Sequence, residues 1–254
     1  MEGLFDSLRG KRVLITGSSR GIGKAMAIAF AQNGADVAVH CTGPCEAMDA
    51  TLEELKPYGG KYIDVYGDLS DASVPADIYN KVEQAFGGVD ILICNASLQI
   101  NRSWKDITIE DFEIQMNINF RSVLQLIQEA VPGMQERKWG RVVTIGSVQQ
   151  VKPHHQMLVY SASKSALVNM VRSLSIQLAP DGITVNNMAP GTIHTGRNEK
   201  VLQDDAYRQK VIDDIPVGFI GEPEDCSSIV LTLCSDSGRY ITGEDIFVGG
   251  GKHI

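Results

Sequence analysis

The chain has 254 residues, a formal net charge of -8 and five cysteines, which is length enough for a core that holds itself together without covalent staples. The acidic balance argues against a nucleic-acid partner and against an anionic membrane surface, since either would repel the chain at long range. An odd number of cysteines without paired metal spacing reads as reduced thiols in a cytosolic protein, not as a disulfide framework. The opening segment MEGLFDSLRGKRVLITG has no basic stretch followed by a long apolar run, and no later stretch is long enough for a membrane span. No Pro/Gly/Ser-rich linker or internal repeat interrupts the chain, so one domain over residues 1–254 is expected.

Taken in order, the chain alternates short β-branched runs with stretches of helical period. The first strand, RVLIT at 12–16, runs into TGSSRGIG and then the helical GKAMAIAFAQNGA, which Gly34 should stop. Gly17, Gly21 and Gly23 in that turn let the chain bend sharply, bring backbone N–H groups close to a pyrophosphate and seat the next helix against the sheet. Their Gly-x-x-x-Gly-x-Gly spacing differs from the commoner Gly-x-Gly-x-x-Gly, but the strand before and helix after are the context such a loop requires. The second strand, DVAVH at 36–40, leads into His40, Cys41 and Thr42. An NAD site usually places a carboxylate there for the ribose 2'-hydroxyl. With none present, Arg20 in the glycine loop is expected to face a 2'-phosphate, so NADP(H) is the preferred cofactor and NAD(H) a possible one.

The third strand is KYIDVY at 61–66, followed by the helical VPADIYNKVEQAFGG with Gly87 at its end. The fourth, VDILIC at 89–94, precedes a long periodic stretch over 108–137, opened by Thr108 three residues before Asp111 as an N-cap pair would be. The fifth, RVVTIG at 141–146, leads to Ser147, and the helix carrying SASKSALVNMVRSLSIQLAPDG should stop at Gly182. ITVNNM at 183–188 and EDIFV at 244–248 complete the set. Strand and helix in repeated succession imply right-handed crossovers and an α/β fold, a doubly wound parallel sheet of about seven strands with helices on both faces. Ligands then bind beyond the carboxyl ends of the strands, where the strand order reverses.

Several of these segments occur in the order that is characteristic of the short-chain dehydrogenase/reductase family, and nearly the whole chain resembles it. The residues that carry the resemblance are the Thr-Gly-x-x-x-Gly-Ile-Gly loop, GDLSD after the third strand, NAS after the fourth, an Asn in the long helix, Ser147 thirteen residues before Tyr160, the Tyr160-x-x-x-Lys164 pair and APG after the sixth strand. The resemblance implies a Rossmann-like NAD(P)-dependent oxidoreductase that interconverts a secondary alcohol and a ketone. It implies catalytic Ser147, Tyr160 and Lys164, with Asn119 beside them and Asn117 as the competing assignment. It further implies cofactor contacts from Gly17, Ser19, Arg20, Gly21, Ile22 and Gly23, from Asp68 and Leu69 at the adenine, from Asn95 and Ala96 at the adenosine ribose, and from Tyr160, Lys164, Pro190, Gly191 and Thr192 at the nicotinamide side.

Chemistry supports those roles independently. Hydride transfer at a carbonyl leaves charge on oxygen, which needs a proton donor and a second hydrogen bond. Tyr160 and Lys164, four residues apart, share a helix face, and a nearby ammonium favours the phenolate form. Ser147 is placed to hold the substrate oxygen. Two departures from the family stand out: Ser97 where a glycine is usual, and VGGG near the C-terminus where Asp-Gly-Gly is usual.

The loops after strands four, five and six carry Ser97, Gln99, Asn101, Arg102, Gln149, Gln150, His154, His155, His194 and Arg197. Ser97, Gln99, Gln149, His154 and His194 are the residues expected to meet the substrate. Their polarity suits a small sugar or sugar acid better than a steroid or long acyl chain, and the stretch from TIHTGRNEK onward is similar to that of relatives acting on sugar acids. Adjacent His154 and His155 seldom chelate together and no carboxylate cluster accompanies them, so no metal is expected. Two alternatives remain: a 3-oxoacyl thioester (acyl carrier protein) reductase, and a dinucleotide-binding protein without catalysis. The resemblance also implies a homotetramer assembled through residues near 108–134 and 157–179.

Overall fold

The computed structural model describes residues 3–254, apart from the side chains of Arg197, Lys200 and Val201, which lie outside the described residues. Seven parallel strands, β1 (Arg12–Ile15), β2 (Asp36–Cys41), β3 (Tyr62–Tyr66), β4 (Ile91–Cys94), β5 (Gly140–Ile145), β6 (Ile183–Pro190) and β7 (Asp245–Val248), form one sheet in the order β3-β2-β1-β4-β5-β6-β7. Each expected run is a strand, with ends that move by one or two residues. The order reverses between β1 and β4, where Val13 pairs with Ile91 on one side and Val37 on the other. That reversal opens the crevice in which the site lies.

The helices are α1 (Gly21–Gln32), α2 (Glu46–Leu55), α3 (Val74–Phe86), α4 (Ile109–Met116), α5 (Ser122–Arg137), α6 (Leu158–Leu178), α7 (Gly196–Leu202), α8 (Asp205–Asp213) and α9 (Ser227–Cys234). On one face Met26 and Phe30 of α1, Met48 and Leu55 of α2 and Val230 and Leu233 of α9 gather against Val13, Ile15, Ile91 and Ile93. On the other, Ile78 of α3, Leu126 and Met134 of α5 and Leu167 and Val171 of α6 gather against Leu14, Leu92 and Val142. Adjacent residues of each central strand therefore serve opposite layers, which is why these strands read as continuous apolar runs. Each such side chain contributes about 1.5–3 kcal/mol by leaving water.

The helix ends follow their signals. The Asp111 N–H donates to Thr108 Oγ1 at 3.1 Å, and Gly87 and Gly182 adopt the left-handed conformation at their caps. The long helix expected over 108–137 differs: it is α4, a π-helical turn at Asn117–Arg121, and α5. Helices α2, α7, α8 and α9 also go beyond the sequence reading; α8 has no buried residue, so its period carries little apolar signal. Among the described residues no helix is long and apolar enough to cross a membrane.

Candidate active site

The turn between β1 and α1 is shaped by close approach. A Cβ on Gly17, whose φ is +63°, would lie 2.9 Å from the Ala96 Cα, and one on Gly23 would lie 2.4 Å from the Gly17 carbonyl oxygen. Neither position has room for a side chain. The turn is fastened to the end of β4: Asn95 Nδ2 donates to the carbonyls of Thr16 and Gly17 at 2.9 and 2.8 Å, and Thr16 Oγ1 accepts the N–H groups of Asn95 and Ala96 at 3.0 Å each. The Asn95 amide nitrogen is thus engaged in holding the glycine loop.

His40 fastens the same turn from β2. Its Nδ1 accepts the Gly17 N–H at 3.1 Å while its Nε2 donates to the Gly67 carbonyl at 3.0 Å. The ring is only 3% exposed, and burial, partly opposed by the bond to Gly67, pushes the imidazole down to about 4. It is therefore neutral at physiological pH, with its proton on Nε2. Sequence reading noticed His40 only as the absence of an acid, because its partners are brought to it by strand pairing.

A cleft of about 1520 Å³ crosses the carboxyl ends of the strands. It is lined at one end by Gly17, Ser19, Arg20, Gly21, Ile22, Gly23, Asp68 and Leu69, and further along by Asn95, Ala96, Pro190, Gly191 and Thr192. These features fit a dinucleotide. The cradle excludes any Cβ, the first turn of α1 points its N–H groups and positive end toward it, and His40, Cys41 and Thr42 line the cleft where β2 ends, with Arg20 alongside.

Ser147, Tyr160 and Lys164 also line the cleft. Tyr160 and Lys164 lie in the first turns of α6 and are buried. Lys164 Nζ donates to the Ile145 carbonyl at 2.7 Å and stands 5.7 Å from the centre of the Tyr160 ring. Ser147 begins a short 3-10 turn, where its Oγ accepts the Gln149 N–H at 3.2 Å. Asn119 lies outside the cleft, fully buried within the π-helical turn. Its Oδ1 accepts the Leu98 N–H at 2.8 Å, and its Nδ2 donates to the Leu98 carbonyl at 2.8 Å and to Ser163 Oγ at 3.1 Å. Ser163 Oγ in turn donates to the Tyr160 carbonyl at 2.7 Å.

Of the expected substrate residues, Ser97, Gln99, Gln149 and His154 line the cleft, as do Asn101 and His155. Burial and the neighbouring His155 both lower the His154 imidazole. His194 lies apart from these: it is exposed, its Nδ1 is 3.6 Å from Glu222, and its backbone N–H donates to the Gly221 carbonyl at 2.7 Å. Arg102 pairs with Asp111 and Gln150 with Asp245, both away from the cleft wall, and the Arg197 side chain is outside the described residues. Sequence reading missed a further part of the cleft wall, to which Lys152, Asp204, Tyr207, Lys210, Asp214 and Lys252 contribute and where Asp214 pairs with both Lys152 and Lys252. No local spacing marks them as a group.

A family model described as enoyl-(acyl carrier protein) reductase matches residues 17–253. Glucose 1-dehydrogenase of Gluconobacter oxydans is 36% identical over 253 residues, covering 97% of this chain and 93% of that protein. L-rhamnose 1-dehydrogenase (NAD(P)(+)) of Sphingomonas is 33% identical over 251 residues, covering 97% and 98%. A solved structure of 3-oxoacyl (acyl-carrier-protein) reductase from Agrobacterium tumefaciens with NADP bound is similar with a TM-score of 0.93 and 37% identity, over 99% of this chain and 98% of that one. With this sheet, this glycine turn and a match over nearly its full length, the chain belongs to the short-chain dehydrogenase/reductase family of NAD(P)-dependent oxidoreductases that act on CH–OH groups.

Proposed function

We propose that the protein interconverts a secondary alcohol and a ketone on a small polar substrate, a sugar or sugar acid, with NADP(H) preferred over NAD(H). The observation that carries this reading is the meeting of Ser147, Tyr160 and Lys164 on one wall of a cleft whose neighbouring lining is polar. When bound, the nicotinamide cofactor supplies or accepts the hydride. In the reducing direction Tyr160 Oη gives its proton to the substrate oxygen; in the oxidising direction the phenolate takes the hydroxyl proton. Ser147 Oγ accepts from Gln149, which leaves its own O–H free to donate to the same substrate oxygen. Lys164, fixed by the Ile145 carbonyl, holds its Nζ 5.7 Å from the centre of the Tyr160 ring, within reach of the cofactor side of the cleft. Asn119 is the family's helix asparagine in this reading, since it reaches the backbone of Tyr160 through Ser163 and thereby positions the helix. Arg20 would meet the 2'-phosphate as a bidentate donor.

The substrate class is supported by Ser97, Gln99, Gln149 and His154 on the cleft wall and by the similarity to relatives named for glucose and rhamnose. A second reading, reduction of a 3-oxoacyl thioester, is favoured by the similarity to the Agrobacterium reductase. As part of the first reading the protein is a cytoplasmic homotetramer. Initial rates of NADPH and NADH oxidation with keto sugar acids, simple ketoses and an acetoacetyl thioester test it, with Tyr160→Phe as control. Turnover of the sugar panel, reduced roughly 10²–10⁴-fold in the variant with cofactor binding retained, is expected. Full activity in Tyr160→Phe would remove its assignment, and turnover of the thioester alone would move the substrate to the second reading. Tighter binding of NADH would overturn the cofactor preference, and binding without any turnover would favour a non-catalytic protein.

A further inference from the structure

The part of the cleft wall that sequence reading missed is built in part by the C-terminal tail. Gly250 and Gly251 have φ of +59° and +86°, and a Cβ on them would stand 2.4 Å from Val217 Cγ2 and 2.9 Å from Pro216 Cγ. Only glycines let the tail press this closely on the segment after α8, where the Val217 N–H donates to the Gly250 carbonyl at 3.1 Å. The tail then turns, with the Lys252 N–H donating to the Gly249 carbonyl at 3.0 Å, and His253 stacks on Phe247 with ring centres 4.2 Å apart. This close packing of the tail brings Lys252 back into the cleft wall.

There the Lys252 side chain is only 14% exposed, with Nζ 3.3 Å from Asp214 Oδ2. Lys152, just beyond the Ser147 turn, donates from Nζ to the other oxygen of Asp214 at 3.2 Å and to the Lys252 carbonyl at 3.2 Å. One carboxylate thus bridges two ammonium groups, so their spacing matches a carboxylate. Lys210 also lines the cleft, from the helix that precedes Asp214, while Asp204 has an oxygen engaged by the Tyr207 N–H at 2.9 Å. Lys152, Lys210 and Lys252 outnumber Asp204 and Asp214 among these lining residues, although the chain as a whole carries -8. Lys252 is the sequestered member, since the Lys152 and Asp214 side chains are 45% and 49% exposed; a local cationic excess in a concave site attracts an anion.

We propose that Lys152 and Lys252 form a carboxylate subsite, which holds the acid group of an aldonate-type substrate while Ser147 and Tyr160 address a hydroxyl elsewhere on the same molecule. This rests on the sugar-or-sugar-acid reading and narrows it to the carboxylated class. Lysines suit the task because their flexible stems and rotatable donors can shift from Asp214 to a substrate oxygen.

The test measures binding of gluconate and of sorbitol, an uncharged polyol of the same chain length, to the enzyme–NADPH complex, in which an alcohol cannot be oxidised. In Lys252→Gln and Lys152→Gln the ratio of the gluconate Kd to the sorbitol Kd should rise about tenfold or more, as expected for loss of a charge-assisted hydrogen bond. Equal weakening of both ligands, an unchanged ratio, or no gluconate binding by the wild type would overturn the subsite. If either variant fails to fold, the salt dependence of the wild-type constants decides: a gluconate Kd that rises with ionic strength beside a constant sorbitol Kd supports the subsite, and parallel behaviour overturns it. The two readings fail separately. Gluconate held by the lysines without turnover of any keto sugar acid sinks the reaction reading, whereas turnover with an unchanged ratio sinks the subsite.

Discussion

His40 ties the glycine turn and the end of β3 to β2 only while its ring is neutral, because Nδ1 must accept the Gly17 N–H. Its folded value of about 4 lies below the ordinary value near 6.5. Between those values the unfolded chain binds the proton more readily, so the stability that is present above about pH 6.5 is lost as pH falls toward 4, by about 3 kcal/mol in all. Urea midpoints measured from pH 7 to 4.5 should therefore fall, and His40→Asn, which retains an acceptor, should show a flatter profile; identical profiles would assign the acid sensitivity to other groups. Ser97 illustrates a different residue-scale point. Among the described residues the one non-glycine with a positive φ is Lys138, so a side chain at Ser97 carries no left-handed strain and its effect belongs to the cleft it lines.

At the scale of elements, the ends of β1, β4 and α5 opposite the cleft are joined by one carboxylate. Asp90, just before β4, accepts from Arg12 Nε at 2.7 Å and Nη2 at 2.5 Å, and from Arg137 Nε at 3.1 Å. Its burial would raise the carboxyl, but the bonds to Arg12 outweigh that and hold it below the usual carboxylate range. Asp90→Ala leaves two guanidinium groups without their partner and should cost about 3 kcal/mol in denaturant unfolding. Because the network is remote from the cleft, KM for substrate and cofactor should stay as in the wild type; a changed KM would mean that this end of the sheet communicates with the site. The π-helical turn between α4 and α5 works at the same scale. It turns Asn119 inward to Leu98 and Ser163, where regular periodicity predicted only one continuous helix.

For the whole molecule, the homotetramer reading is tested at three exposed apolar residues. Ile109 and Phe112 on α4 are 68% and 47% exposed and Ile176 on α6 is 78% exposed, on the two helical regions through which the homotetramer reading assembles the protein. Sedimentation should give a tetrameric mass for the wild type and a smaller one for the Phe112→Glu, Ile176→Glu double variant. A monomeric wild type would remove the homotetramer reading and leave these side chains as isolated surface residues. The sequence by itself determined the doubly wound α/β class and the place of Gly17, Gly21 and Gly23 between β1 and α1, because strand and helix periodicity encode which side of each element is apolar and where each element stops; that Ser147, Tyr160 and Lys164 act together was implied by the resemblance to the family. Only the tertiary structure decided that His40 is a tie, that His194 lies beside Glu222, and that Lys152 reaches Lys252 from 100 residues away. Such encounters depend on sheet order and on how loops close over the strand ends, and local sequence spacing carries no information about either.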